Sequence, residues 1–160
     1  MILSDEAQPR RAGPGDVAAV AALQQAAYAR NRDLLGVEPL PLQVDYQEIV
    51  AQMEVWLFGP AEALRGALAL QAEPDALLIW SVATAPHAQG AGLGGAMLDF
   101  AEARARALKR PTIRLYTGKK LTDNVDWYRR RGFAIDRVEA LADRVVVHMS
   151  KRLDEAAGGS

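Results

Sequence analysis

The run Gln89-Gly90-Ala91-Gly92-Leu93-Gly94-Gly95 constrains this chain more than any other segment. It follows an apolar stretch, Leu77-Leu78-Ile79-Trp80-Ser81-Val82-Ala83. It precedes a stretch in which Leu93, Met97, Phe100, Ala101 and Leu108 fall on one helical face. The pattern is strand, glycine turn, helix. A helix start exposes four amide hydrogens with no partner inside the helix, and a Ser, Thr, Asp or Asn side chain normally satisfies one of them. No such residue stands immediately before this helix. Glycines take positive φ and let a ligand approach the backbone. Bare amides at the positive end of a helix dipole form an anion site, and phosphate is its natural occupant.

Three readings of the turn compete. It can be a tight strand-to-helix connection with no ligand. It can be a dinucleotide loop, since Gly90-x-Gly92-x-x-Gly95 matches that fingerprint, but the fingerprint needs an acid about 20 residues on, at the end of the next strand. That strand ends Leu115-Tyr116-Thr117-Gly118, without one. A Walker loop fails as well, because no Gly-Lys-Ser/Thr follows the glycines. The third reading is the pyrophosphate loop of an acetyl-CoA enzyme.

Around this segment the chain reads as one mixed α/β domain over residues 1–153, with a flexible tail at 154–160 that has little to bury. Strands are expected at residues 3–12, 55–58, 64–70, 77–83, 112–116, 133–140 and 144–149. Helices are expected at 17–32, where Val17, Val20, Ala21, Gln24, Ala27 and Tyr28 recur at helical spacing, and at 43–52, 92–109 and 122–131. Gly132 closes the last of these.

Two stretches resemble a known family. Val82-Ala83-Thr84-Ala85-Pro86-His87-Ala88-Gln89-Gly90-Ala91-Gly92-Leu93-Gly94 resembles the acyl-CoA-binding motif of the GNAT acetyltransferase superfamily, a Gln/Arg-x-x-Gly-x-Gly/Ala core after a strand. Arg114-Leu115-Tyr116-Thr117 and Asn124-Val125-Asp126-Trp127-Tyr128-Arg129-Arg130-Arg131-Gly132-Phe133 resemble the second motif, whose Tyr-x-x-x-Gly-Phe ending is its most telling part. The two stand in the family's order and separation. With the flanking strands the resemblance covers the C-terminal half. Pro39-Leu40-Pro41-Leu42 and Asp45-Tyr46 are similar, less specifically, to one bacterial branch.

The resemblance implies a GNAT-like fold: a mostly antiparallel sheet of about seven strands, splayed at a cofactor groove, with about four helices. It implies acetyl-CoA as cofactor. The amides of Gln89, Gly90, Ala91, Gly92, Leu93 and Gly94 would hold the pyrophosphate. Backbone groups of Val82, Ala83 and Thr84 would pair with the pantetheine arm as a peptide pairs with a sheet edge, the Val82 N–H polarising the thioester carbonyl. Asn124 and Tyr128, four residues apart, share a helix face. Asn124 would bond the pantetheine and Tyr128 would act as the catalytic proton donor to sulfur. Arg131 shares that face and is the best of three arginines for a cofactor phosphate. Plainer roles compete: a first-turn residue beside a Thr122 cap for Asn124, a core aromatic for Tyr128, and dipole-favoured solvated cations for the arginines.

A net charge of −1 disfavours general nucleic-acid binding. No apolar run approaches the roughly 18 residues of a membrane span, and residues 1–11 lack a signal pattern. The chain has no cysteine, which removes disulfides and thiolate chemistry. A cytoplasmic protein is expected. Its two histidines, His87 and His148, have no third ligand in register, so no metal site is expected. Expected partners are a small-molecule or peptide amine, with a second copy of the chain as a candidate, and neither nucleic acid nor membrane.

The strand before the glycines carries no acid to deprotonate an amine. Either a water chain takes the proton, or Glu38, Asp45, Tyr46 or Glu54 reaches in from the N-terminal half. Two functions follow: an N-acetyltransferase, or an idle acyl-CoA-binding domain of the same fold.

Overall fold

The computed structural model describes residues 8–153. The start of the expected first strand, residues 3–7, and the expected tail lie outside the described residues. Seven strands form one sheet: β1 (Arg10–Arg11), β2 (Glu54–Phe58), β3 (Gly66–Ala72), β4 (Ala76–Thr84), β5 (Thr112–Gly118), β6 (Ala134–Ala140) and β7 (Val145–Arg152). Their order is β1-β2-β3-β4-β5-β7-β6. Every neighbouring pair is antiparallel except β4 and β5. Four α-helices accompany it: α1 (Val17–Leu35), α2 (Tyr46–Gln52), α3 (Leu93–Ala107) and α4 (Thr122–Arg130). Among the described residues no helix is long and apolar enough to cross a membrane.

The chain reaches β5 from β4 through α3, the crossover that a parallel pair requires. Helix α1 packs on β3 and β4, whereas α3 packs on β3, β4 and β5. Both faces of the central strands are therefore covered, and β3 and β4 read as apolar runs rather than alternating ones. Leu57, Leu68, Leu70, Leu77, Ile113 and Met149 are fully enclosed. Leu57→Ala is expected to cost about 2–5 kcal/mol by leaving a cavity. Urea unfolding would show the midpoint fall, with cofactor binding by the folded fraction unchanged because Leu57 lies outside the cleft.

Several boundaries differ from expectation for identifiable reasons. Helix α1 runs three residues past Arg32 because Gly36, at φ 74°, caps it and donates its N–H to the Arg32 carbonyl at 3.0 Å. Helix α2 begins at Tyr46, not Gln43. Leu40–Leu42 form a separate 3₁₀ turn, and Asp45 caps α2 by accepting from the Gln47 N–H at 2.9 Å. Thr122 is the first residue of α4 and not its cap; Leu121 holds that position without a side-chain bond.

Candidate active site

Strands β4 and β5 pair only at their beginnings, Ala76 with Thr112 through Leu78 with Arg114. A bulge follows at once. Ala69 pairs with Ser81 but Leu70 with Ile79, so Trp80 is an extra residue on β4. A bulge bends its strand and increases the local twist. The closed end is clamped where Arg114 on β5 donates twice to the Glu73 carboxylate, at 2.6 Å each. Beyond the bulge the strands part, and a cleft of about 400 Å³ opens between them.

The open edge of β4 has an observable orientation. The Tyr28 hydroxyl donates to the Val82 carbonyl at 3.3 Å, and the Gln89 side chain donates to the Thr84 carbonyl at 3.5 Å. In an antiparallel ladder the N–H and C=O of one residue face the same side. Val82 and Thr84 thus turn both groups toward the cleft. Ala83 alternates with them, and its groups face its ladder partner Ala67.

The glycine turn ends the cleft. Gly90 and Gly92 are left-handed, at φ 84° and 82°, and a Cβ at either would have nothing within 4 Å. Among the described residues no acceptor receives the six amides from Gly90 to Gly95; the first helical bond of α3 runs from the Ala96 N–H to the Gly92 carbonyl at 3.1 Å. Orphan donors in such number at a helix start form a preorganised anion site.

Helix α4 supplies the facing wall. Asn124, Trp127 and Tyr128 line the cleft. Arg131, just past the helix, lies beside the glycine turn: it donates to the Gly95 carbonyl at 3.3 Å and to Asp99 at 3.2 Å, with its guanidinium 5.5 Å from the Trp127 ring centre. Arg129 and Arg130 are exposed and line nothing, as is true of Lys119, Lys120 and His87. The Tyr128 ring packs edge-on to Phe133 at 5.8 Å and tilted to Trp127 at 5.1 Å. Among the described residues its hydroxyl has no hydrogen-bond partner, yet none of their buried side-chain oxygens or nitrogens is sealed without one. The hydroxyl therefore opens onto the cleft. Burial pushes this phenol well above its ordinary value, with the neighbouring Tyr28 a smaller cause.

Tyr28 and Gln24 were not legible as site residues. Ser81 Oγ lies 3.0 Å from the Tyr28 hydroxyl and donates to Gln24 at 3.3 Å; Ser81 is 3% exposed and Gln24 1%. The available signal was Gln24, a polar residue on the apolar stripe of α1, one turn from Tyr28. Burial raises the Tyr28 phenol, and its bonds to Ser81 and Val82 only partly oppose this.

The four N-terminal candidates for a base are all engaged elsewhere. Glu38 pairs with Arg32 at 2.8 Å, Asp45 caps α2, the Tyr46 hydroxyl donates to the Pro41 carbonyl at 2.6 Å, and Glu54 pairs with Arg104 at 2.8 Å. None of the four lines the cleft, nor does any other Asp or Glu among the described residues. No cluster of three or more His, Cys, Asp or Glu suited to a metal occurs among the described residues.

A turn of orphan amides at the head of α3 thus opens into a gap between parallel strands of a mixed sheet. Residues 46–135, more than half of the chain, match the acetyltransferase (GNAT) domain, and the chain belongs to that family. Its fold is similar to that of PaiA N-acetyltransferase from Thermoplasma acidophilum in complex with coenzyme A, at TM-score 0.75 and 12% identity, covering 91% of this chain and 98% of that one. It is similar to YncA from Salmonella typhimurium with its cofactor acetyl-CoA, at TM-score 0.67 and 18% identity over 94% and 96%. It is similar to the ribosomal-protein-S18-alanine N-acetyltransferase from Escherichia coli, at TM-score 0.74 and 15% identity over 96% and 97%. A search of curated protein sequences found no significant match.

Proposed function

We propose that the protein transfers an acetyl group from acetyl-CoA to a primary amine of a small molecule or a peptide terminus. The observation that carries this reading is the continuity of two features. The six orphan amides of residues 90–95 and the unpaired edge of β4 open into adjoining spaces that share Thr84, Gln89, Gly94 and Trp127. Coenzyme A combines a diphosphate with an arm bearing two amides, and so matches both features at once. The amides of Gly90 to Gly95 and the Arg131 guanidinium hold the diphosphate. Val82 and Thr84 offer backbone donors and acceptors to the arm, and Asn124 faces them from α4. The thioester supplies an activated acetyl group. The chain contributes orientation, the Val82 N–H as a donor toward the carbonyl oxygen, and a proton or hydrogen bond at the Tyr128 hydroxyl for the departing sulfur.

The amine must arrive neutral. With no carboxylate among the described residues lining the cleft, and with the phenols of Tyr28, Tyr116 and Tyr128 all raised by burial, water in the open cleft receives its proton. The rate is therefore expected to climb with pH as the free amine population grows.

Coenzyme A is expected to raise the melting temperature by mass action. At about a hundred times its dissociation constant the gain is about 2.7 kcal/mol, worth roughly 5–10 °C in a domain of this size. NAD and ATP should shift it far less. Equal stabilisation by NAD, or no shift at saturating coenzyme A, would sink the reading. Thiol release from acetyl-CoA across a panel of amines then tests transfer itself.

A further inference from the structure

We infer that the acceptor is a primary amine with an apolar body and a carboxylate, and that Arg144 receives the carboxylate. This inference rests on the acetyl-transfer reading and names the class of its substrate.

Arg144 closes the turn of the β6–β7 hairpin, where its carbonyl accepts from the Leu141 N–H at 2.7 Å across Ala142-Asp143. Its side chain lines the cleft and is only 5% exposed. Nε and Nη2 each donate to the Asp143 carboxylate at 3.0 Å. Among the described residues Nη1 has no acceptor, yet none of their buried side-chain nitrogens is sealed without a partner. Nη1 therefore keeps contact with solvent, on a side chain that lines the cleft. An arginine presents five N–H donors in a planar fork. Asp143, more than half exposed at the hairpin tip and outside the cleft, takes one edge of that fork. The other edge is left for an occupant, and a planar carboxylate is the group that matches it.

The rest of the acceptor end agrees. Arg30 on α1 is the other charged side chain lining the cleft, and no Asp or Glu does so among the described residues. A polyamine or another polycation would meet two cations and no counter-charge. A neutral amine that displaced water from Arg144 would leave Nη1 unpaired, and an unsatisfied buried donor is costly. The cleft that Arg144 lines also carries apolar wall, including Leu35, Pro39, Pro41, Trp80 and Val146. Arg144 is not needed for the cofactor's phosphates. Its chain neighbour Val145 accepts from the Lys119 N–H at 2.9 Å, just ahead of α4, whereas Arg131 and the glycine turn lie at that helix's far end. The nine residues of α4 separate the two ends by about 14 Å.

The test uses matched acceptors, phenylalanine against phenylalaninamide and leucine against leucinamide, with acetyl-CoA saturating and rates normalised to the neutral amine fraction. The carboxylates should show kcat/KM about 10- to 100-fold above the carboxamides, the range expected for a hydrogen-bonded charge. Arg144→Gln should erase that preference through the acceptor KM while leaving the KM for acetyl-CoA unchanged, and Arg144→Lys should keep part of it. Equal kcat/KM within each pair, or a preference that survives Arg144→Gln, overturns the inference. Binding provides a readout independent of turnover. N-acetylphenylalanine should raise the melting temperature of the coenzyme A complex of the wild type and not of Arg144→Gln, and its carboxamide should raise neither. If no amine in the panel is acetylated while this Arg144-dependent binding persists, the transfer reading falls and the carboxylate site stands. If neither protein binds N-acetylphenylalanine, the carboxylate site falls.

Discussion

Gly92→Asp is expected to yield a folded protein that no longer binds coenzyme A. Residue 92 is left-handed at φ 82°, and a side chain there enters open space with nothing within 4 Å of its Cβ. Aspartate is among the residues that visit this conformation, at a cost of about 1–2 kcal/mol. A domain of this size loses about 2–4 °C for each kcal/mol, so the melting temperature should fall by only a few degrees. The new carboxylate stands among the orphan amides of residues 90–95, with Arg131 beside the turn. It satisfies these donors from within the chain and repels a diphosphate that would use them. Calorimetric titration should show no detectable coenzyme A binding. Gly92→Asn carries the same backbone strain without the charge and should weaken binding far less. Normal affinity in the aspartate variant would place the diphosphate elsewhere, and equal losses in both variants would make the backbone, not the charge, the cause.

Tyr128→Phe should lower turnover by about two orders of magnitude, within the usual range for general acid catalysis, while leaving the affinity for acetyl-CoA near normal. The sulfur gains negative charge only as its bond to the acetyl carbon breaks, so the hydroxyl acts on the transition state and kcat carries the loss. Folding should be nearly indifferent. The ring contacts to Trp127 and Phe133 survive, and the hydroxyl has no protein partner to abandon. The pH dependence is a second check. Burial holds the phenol above the ordinary value near 10, so the donor state persists throughout the neutral range and declines only in strong alkali. The ratio of wild-type to variant turnover should therefore stay flat from about pH 6 to 9, while both rates rise with deprotonation of the amine. Unchanged turnover, with acetyl transfer shown to be rate-limiting, would reduce Tyr128 to a packing residue.

The base of the reaction illustrates how the site divides between what local sequence reveals and what it hides. Four N-terminal residues were candidates because the strand before the glycines lacks an acid. The structure engages each in another bond, none of the four lines the cleft, and a carboxylate already paired with arginine or capping a helix has little capacity left for a second task. Glu54 is representative. Its burial works against the charge, but bonds from Arg104 and Trp56 outweigh it and hold the carboxyl below its usual range. Nothing in the residues around Glu54 announces Arg104, which lies 50 positions away.

The glycine turn, its strand and helix, and the shared face of Asn124, Tyr128 and Arg131 are properties of contiguous residues. Periodicity, missing cap residues and helical spacing are local rules, and they carried those assignments to within a few residues of the observed bounds. The opening of the sheet is different. It depends on the bulge that makes Trp80 an extra residue, on pairing that stops after Leu78, and on an ion pair that clamps only the closed end. The acceptor side is more distant still. Tyr28 meets Ser81 across 53 positions, and Arg144 joins α1, β5 and β7 around one space. On the sequence Tyr28 is one more member of an apolar stripe and Arg144 one more charge beside a turn. Their roles arise from side chains converging across a register that hydrophobic patterning permits but does not specify, and only the folded sheet, with its bulge and splayed strands, brings them together.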